Sequence, residues 1–119
     1  MTDDEIAETW IRYHMEGAES DFWACEELTD LAQKDPDHAW TVIQRINATP
    51  IHDDAWRQLV QGCLGCGPIE ELIAVHETRM LPVILQAAAS DPILREELST
   101  IYESSINPAA WKQIQAVLS

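Results

Sequence analysis

Two cysteines three positions apart, Cys63 and Cys66, are the residues best spaced for metal or redox chemistry. A structural zinc site needs further ligands beyond this pair, and the candidates are the histidines His14, His38, His52 and His76. No second C-x-x-C completes a metal set, and a thioredoxin-like C-x-x-C should follow a strand. Small packed thiols near a tight turn are the favoured interpretation. A metal- or thiol-dependent enzyme using Cys63 and Cys66 stays open as an alternative.

Glu70 and Glu71, with His76 nearby in the sequence, could form an acid–base pair. The favoured interpretation is structural, because acids in the first turn of a helix complement its dipole and Glu70 can reach back to free amides. His76 falls on an apolar stripe, which is typical of a histidine at the core edge with one hydrogen bond. No nucleophile with a positioned base is present. We therefore predict no catalytic residue, no metal and no cofactor.

Charge is the strongest functional signal, because 21 Asp and Glu face only 7 Lys and Arg, for a net charge of −14. Such a field repels nucleic acid and anionic membranes and attracts basic proteins. The acids crowd into residues 1–35, where Arg12 and Lys34 are the only Lys or Arg. Pairs from Glu8 to Arg12 and from Asp30 to Lys34 are expected. The predicted contacts to a basic partner are Glu5, Glu8, Glu16, Glu19, Glu26, Glu27 and Asp30.

The elements that must position these residues are helices, and no hairpin signal occurs. Apolar side chains recur at helical spacing in about seven segments, which predicts one all-α domain over residues 1–119. Caps are expected at Ser20, Asp35, Asp53 or Asp54, Asp91 and Asn107, and a stop at Gly17. Gly67-Pro68 should open the longest helix, and Pro82 should kink or split it. No apolar run is long enough to span a membrane.

Three Ala-Trp pairs suggest a repeated unit, in which a capped helix start precedes a Trp that locks the helix onto its neighbour. They are Ala39-Trp40, Ala55-Trp56 and Ala110-Trp111. Stacked hairpins of an α-solenoid would reuse such a unit. Because the spacing is irregular, the solenoid is favoured only slightly over an irregular bundle, and both architectures stay open.

The stretch from Gly67 and Pro68 through Glu70, Glu71 and Leu72 to His76, followed by Asp91-Pro92, resembles an uncharacterised bacterial family of small helical proteins. Its pattern is a Gly-Pro-Leu-Glu-Asp-Leu-Leu helix start followed by a His, and Ile69, Glu71 and Ile73 are conservative departures. The similarity covers roughly residues 23–112. It implies an α-helical fold in which these motif residues are structural. It implies no activity, substrate or cofactor.

The leading functional hypothesis is a cytoplasmic, non-enzymatic protein-binding module. Its most concrete form is an immunity or antitoxin-like inhibitor of a basic, nuclease-type bacterial toxin, whose phosphate-binding surface the carboxylates would cover. The alternative from another class is a helical scaffold or regulatory subunit that binds a partner through an apolar groove. An odd number of cysteines without a signal peptide favours free thiols and a cytoplasmic location. The oligomeric state stays open.

Overall fold

The computed structural model describes residues 1–119 and contains eight α-helices and no strand, which confirms the predicted all-α class. The helices are α1 (Asp3–Glu16), α2 (Trp23–Lys34), α3 (Pro36–Ala48), α4 (Asp54–Leu64), α5 (Glu70–Val75), α6 (Glu77–Ala88), α7 (Pro92–Leu98) and α8 (Pro108–Leu118). A π-helical segment, Gly65–Ile69, joins α4 to α5. Short 3₁₀ turns lie at Glu19–Asp21 and Glu103–Ser105. None of the helices combines the length and apolar character that crossing a lipid bilayer requires.

Short polar side chains cap most helix starts. Asp35, Asp53, Asp91 and Asn107 accept hydrogen bonds from backbone amides in the first turn of α3, α4, α7 and α8, as predicted. Gly17 ends α1 in the left-handed region at φ 73°, also as predicted. The expected cap at Ser20 is wrong, because that residue lies in a 3₁₀ turn and α2 begins three residues later.

The chain does not break at Gly67-Pro68, where a helix start was predicted. α4, the π segment and α5 follow one another without interruption, and the Glu70 amide donates to the Gly65 carbonyl five residues back. Pro68 has no amide hydrogen, so it cannot make the α-helical bond to Leu64. The wider π turn lets the helix continue past this gap.

The long helix divides at His76 and not at Pro82, which lies inside α6. His76 adopts φ −123° and ψ 43°, outside the helical region. Its Nε2 donates a hydrogen bond to the Gln33 carbonyl at 2.8 Å, in the last turn of α2 where carbonyls lack helical partners. This contact between distant segments explains why the long helix divides at His76. The division produces α5 and α6, so the chain has eight helices where about seven were predicted.

The helices pack around one apolar core, with α1, α2 and α3 in mutual contact and α6 against α5, α7 and α8. Contacts also join α1 to α4, α2 to α5 and α4 to α7, which skip intervening helices. A solenoid repeat touches only its neighbours, so the bundle is irregular. The Trp residues of the Ala-Trp pairs are not in equivalent environments either, since Trp40 is buried and Trp56 is 39% exposed.

Candidate binding groove

Three adjoining cavities follow one side of α2, and we call them together the α2 groove. The inner cavity, about 280 Å³, lies between α1, α2 and the π segment. It shares Cys25 and Thr29 with a middle cavity of about 500 Å³, which in turn shares Phe22 with an outer cavity of about 440 Å³. The groove thus runs from the π segment along α2 to Tyr13, Glu19 and Phe22, which precede α2 in the chain.

No Lys or Arg side chain lines the α2 groove. Five carboxylates do, namely Glu19, Glu26, Asp30, Glu70 and Glu71. The nearest base is Lys34, whose Nζ lies 2.7 Å from an Asp30 oxygen. This pair was predicted. The groove therefore concentrates negative charge, which raises the local concentration of cations and cationic side chains.

The arginines do not line the groove, and each of them has a partner elsewhere in the structure. Arg12 makes a two-pronged bond to Asp21, at 2.8 and 2.9 Å, so the predicted pair with Glu8 is wrong. This bond lowers the pKa of Asp21. Arg45 binds Asp4, Arg79 binds Asp37 and Arg57 binds Asp54. Arg95 donates to the carbonyls that end α6.

Three of the seven predicted partner residues, Glu19, Glu26 and Asp30, line the α2 groove. The other four do not line it: Glu5, Glu8 and Glu16 are exposed, and Glu27 is half-buried. Whether the seven contact a partner stays a prediction.

Glu70 and Glu71 join the groove although the sequence indicated only a capping role. Glu70 Oε1 accepts a hydrogen bond from the Tyr102 amide, and Glu71 Oε1 accepts one from the Gln33 side chain, each at 3.0 Å. The predicted reach of Glu70 to free amides is wrong, because α5 continues from the π segment and has no free amides at its start. The second oxygen of each carboxylate accepts no hydrogen bond from the chain. Leu72 and Pro68 beside them are buried, and Gly67 is exposed.

All three cysteines line the inner cavity, including Cys25 of α2, which the sequence did not connect with the C-x-x-C. Burial, followed by the nearby Cys63 and Glu26, raises the pKa of Cys25 to about 11. Burial, followed by Cys66, also raises the pKa of Cys63. Both groups are therefore protonated thiols at neutral pH and weak nucleophiles. No group of three or more His, Cys, Asp or Glu side chains is arranged to hold a metal ion.

His14 and Trp10 form one wall of the inner cavity. The His14 ring lies 3.9 Å from the Trp10 ring between centroids, and its Nδ1 is 2.8 Å from the Trp10 carbonyl. A carbonyl only accepts, so Nδ1 carries a hydrogen and donates it. His76 does not line the groove, because its ring is bonded to the Gln33 carbonyl.

A second polar centre, absent from the sequence prediction, lies in the core between α3 and α7. Glu97 is 0% exposed, Asn47 Nδ2 donates to its Oε1 at 2.8 Å, and its Oε2 has no partner. Burial is the main cause that raises the pKa of Glu97 to about 8. The negative charges of Asp91 and Glu96 raise the pKa further, and the Asn47 hydrogen bond lowers it in part. Asp91 itself caps α7, in keeping with the structural role expected of Asp91-Pro92.

Comparison with known proteins identifies a family and no individual relative. No curated protein and no solved structure matches the chain. A profile described as "Family of unknown function (DUF6869)" matches residues 12–119, which extends the predicted similarity over residues 23–112 in both directions. The matched segment contains α2 to α8 and all five groove carboxylates. The chain belongs to this family of unknown function.

Proposed function

We propose that the chain is a non-enzymatic binding module that holds a basic segment of a partner protein in the α2 groove. The observation that carries the proposal is the charge of the groove, which five carboxylates and no Lys or Arg line over three adjoining cavities. Opposite charge steers association and suppresses wrong partners. The same field disfavours nucleic acid and anionic lipid surfaces as ligands.

The groove also offers an apolar anchor. Phe22 is 44% exposed, lies at the junction of the middle and outer cavities, and packs against Tyr13 with ring centroids 5.3 Å apart. Aromatic residues near the centre of an interface carry much of the binding energy. A basic segment with apolar residues between its charges therefore fits this groove better than a purely ionic one.

In its most concrete form, the partner is a basic, nuclease-type bacterial toxin and the chain is its immunity or antitoxin-like inhibitor. Carboxylates held in a groove occupy the places on such a toxin where the phosphates of nucleic acid would lie. The proposal places the module in the cytoplasm, in keeping with its three free thiols.

A defined peptide tests the groove. A fluorescein-labelled basic peptide of about 12 residues, matched to the length of α2, should bind in a fluorescence anisotropy titration. Its affinity should fall steeply as salt rises from about 0.05 to 0.5 M. A peptide with Gln at every basic position should not bind.

Two variants of equal net charge show where the peptide binds. The triple variant Glu19→Gln, Glu26→Gln, Asp30→Asn removes charge inside the groove. The control Glu5→Gln, Glu8→Gln, Glu16→Gln removes the same charge from exposed predicted residues outside it. We expect the first to weaken binding at least about tenfold and the second to change it about twofold. Equal losses would refute the groove and favour a diffuse acidic face.

The toxin form has its own test in the neighbouring genes. If an adjacent gene encodes a basic nuclease, the purified chain should abolish its activity at equimolar concentration. The triple groove variant should fail to do so. A neighbouring nuclease that keeps full activity in excess chain would refute this form of the proposal.

One observation favours the second candidate, a scaffold or regulatory subunit. Trp56 and Leu59, one turn apart on α4, are 39% and 43% exposed. An exposed apolar pair of this kind suits a partner helix. Binding of a partner that is lost in Trp56→Ala/Leu59→Ala and kept in the triple groove variant would select this candidate.

A further inference from the structure

We infer that the inner cavity of the α2 groove receives a single arginine side chain of the partner segment. This inference rests on the proposed function and names the group that the groove recognises. The cavity, about 280 Å³, lies just below the roughly 300–1,000 Å³ typical of sites for drug-sized ligands. It is suited to one long side chain and too small for a helix.

The acceptors in the cavity match a guanidinium group. Glu70 and Glu71 each have one oxygen fixed by a donor from another element and one oxygen without a partner. The His14 ring also lines the cavity. Arginine carries five N–H donors in a planar fork and no acceptor, so it can satisfy several separated acceptors at once. Lysine presents a compact ammonium and fits such a spread set less well.

The remaining wall suits the apolar stem of arginine. Pro68 and the protonated thiols of Cys25 and Cys63 present weakly polar surface, on which methylene groups pack while the charged head stays at the carboxylates.

The carboxylates are held in place before the ligand arrives. The Tyr102 amide holds Glu70 and the Gln33 side chain holds Glu71, and Gln33 is itself tied to His76 through its carbonyl. Side chains that are already ordered lose less entropy on binding, which raises affinity for the matching group.

Two peptides isolate the arginine. Both carry lysines and alanines, and one has a single central arginine where the other has citrulline, whose neutral urea group keeps nearly the same shape. We expect the arginine peptide to bind at least about tenfold more tightly to the wild-type chain. We expect Glu70→Gln/Glu71→Gln to remove that preference, since each Gln keeps an Oε1 acceptor for the existing hydrogen bond and loses the charge. A matched control, Glu96→Gln/Glu103→Gln, removes two exposed charges outside the groove and should preserve the preference.

Protection of Cys66 gives a direct readout of occupancy. Cys66 is exposed and lines the inner cavity, so a saturating arginine peptide should slow its modification by N-ethylmaleimide at least about fivefold, and the citrulline peptide should not. Circular dichroism melting curves of all variants establish that they are folded.

The outcomes separate this inference from the function on which it rests. Equal affinity for the two peptides, with binding still lost in the Glu19, Glu26 and Asp30 variant, overturns the arginine site and leaves the groove proposal standing. No binding of either peptide at low salt overturns both. An arginine preference that survives in Glu70→Gln/Glu71→Gln places the arginine elsewhere and also overturns the inference.

Discussion

Carboxyl groups occupy two opposite environments in this molecule. In the α2 groove, Glu70 and Glu71 are partly exposed, and each has one oxygen that accepts a hydrogen bond and one that accepts none from the chain. In the core, Glu97 is wholly buried, with one oxygen bonded to Asn47 and the other without a partner. The same side-chain chemistry therefore serves recognition in one place and helix packing in the other.

The difference lies in what each environment supplies. Water and donors from neighbouring elements surround the groove acids, so a charge there is available to a ligand. At Glu97, burial makes the charged form costly, and the raised pKa of about 8 keeps this carboxyl protonated at neutral pH. A neutral Glu97 does not add to the surface field, and it fixes α7 against α3.

The largest expected effect comes from Gly65, which sets how closely the π segment approaches Glu97. A Cβ at Gly65 would overlap the Glu97 carbonyl oxygen and Thr100 Oγ1, and the former is backbone that cannot swing away. We expect Gly65→Ala to lower the free energy of unfolding by about 3 kcal/mol or more, measured by urea denaturation. Gly62→Ala, which meets no atom within 4 Å, is the control and should raise it by up to about 1 kcal/mol. A Gly65→Ala variant as stable as the wild type would show that this contact does not fix α7.

The second prediction concerns the pH dependence that Glu97 imposes on stability. Between the usual pKa of 4.5 and about 8, the folded chain holds a proton on Glu97 that the unfolded chain has released. Stability contributed by this proton is complete below pH 4.5 and is lost as pH rises through the folded pKa. From pH 6 to 8 the wild type should lose about 2 kcal/mol more than Glu97→Gln, which cannot titrate.

The groove variant Glu70→Gln/Glu71→Gln, measured over the same pH range, controls for the general effect of removing acids. If Glu97→Gln keeps the wild-type slope of stability against pH, Glu97 is charged in the folded chain and the contrast between the two environments is wrong.

The third prediction tests whether Asn47 supports Glu97. Removing its amide in Asn47→Ala leaves both Glu97 oxygens without a partner, because no other donor reaches them. We expect a loss of about 1–2 kcal/mol in the free energy of unfolding. The double variant Asn47→Leu/Glu97→Leu replaces both polar groups and should recover part of the lost stability. If its loss in the free energy of unfolding equals the sum of the losses in the two single variants, the two residues are not coupled.

Local signals in the sequence predicted most of the fold. The Asp-Pro and Asn-Pro steps located α3, α7 and α8, because capping and the fixed φ of proline act within one turn.

A usable signal for Glu97 was also present. It lies three residues after Leu94 and one before Leu98, so helical spacing places it on the same face as these leucines, which are buried. Helical spacing would also turn Tyr102 inward, but the helix ends at Leu98 and Tyr102 is 66% exposed.

The groove could not be predicted in the same way, because it is made by contacts between distant segments. Cys25 of α2 and Cys63 at the end of α4 come together at the inner cavity, and the Glu70 side chain finds its donor 32 residues away. Trp56 shows the opposite case, since its position predicted burial against a neighbouring helix and its side chain stays 39% exposed. Periodicity fixes which face of a helix is apolar and does not determine what packs against it.

The smallest expected effect belongs to His38, whose ion pair with Asp3 lies at the surface. His38 Nε2 is 2.6 Å from Asp3 Oδ1, and this hydrogen bond raises the pKa of His38 above its usual 6.5. The folded chain therefore binds the proton more tightly, and the resulting stability is present below pH 6.5 and lost as pH rises through the folded pKa. With both side chains partly in water, the contribution of this pair to stability should be at most about 0.5 kcal/mol.

An NMR titration of the His38 ring should show the raised pKa, and Asp3→Asn should return this pKa toward 6.5. A loss above about 1 kcal/mol in Asp3→Asn would contradict the contrast drawn here between weak surface pairs and the strong effect of the buried Glu97.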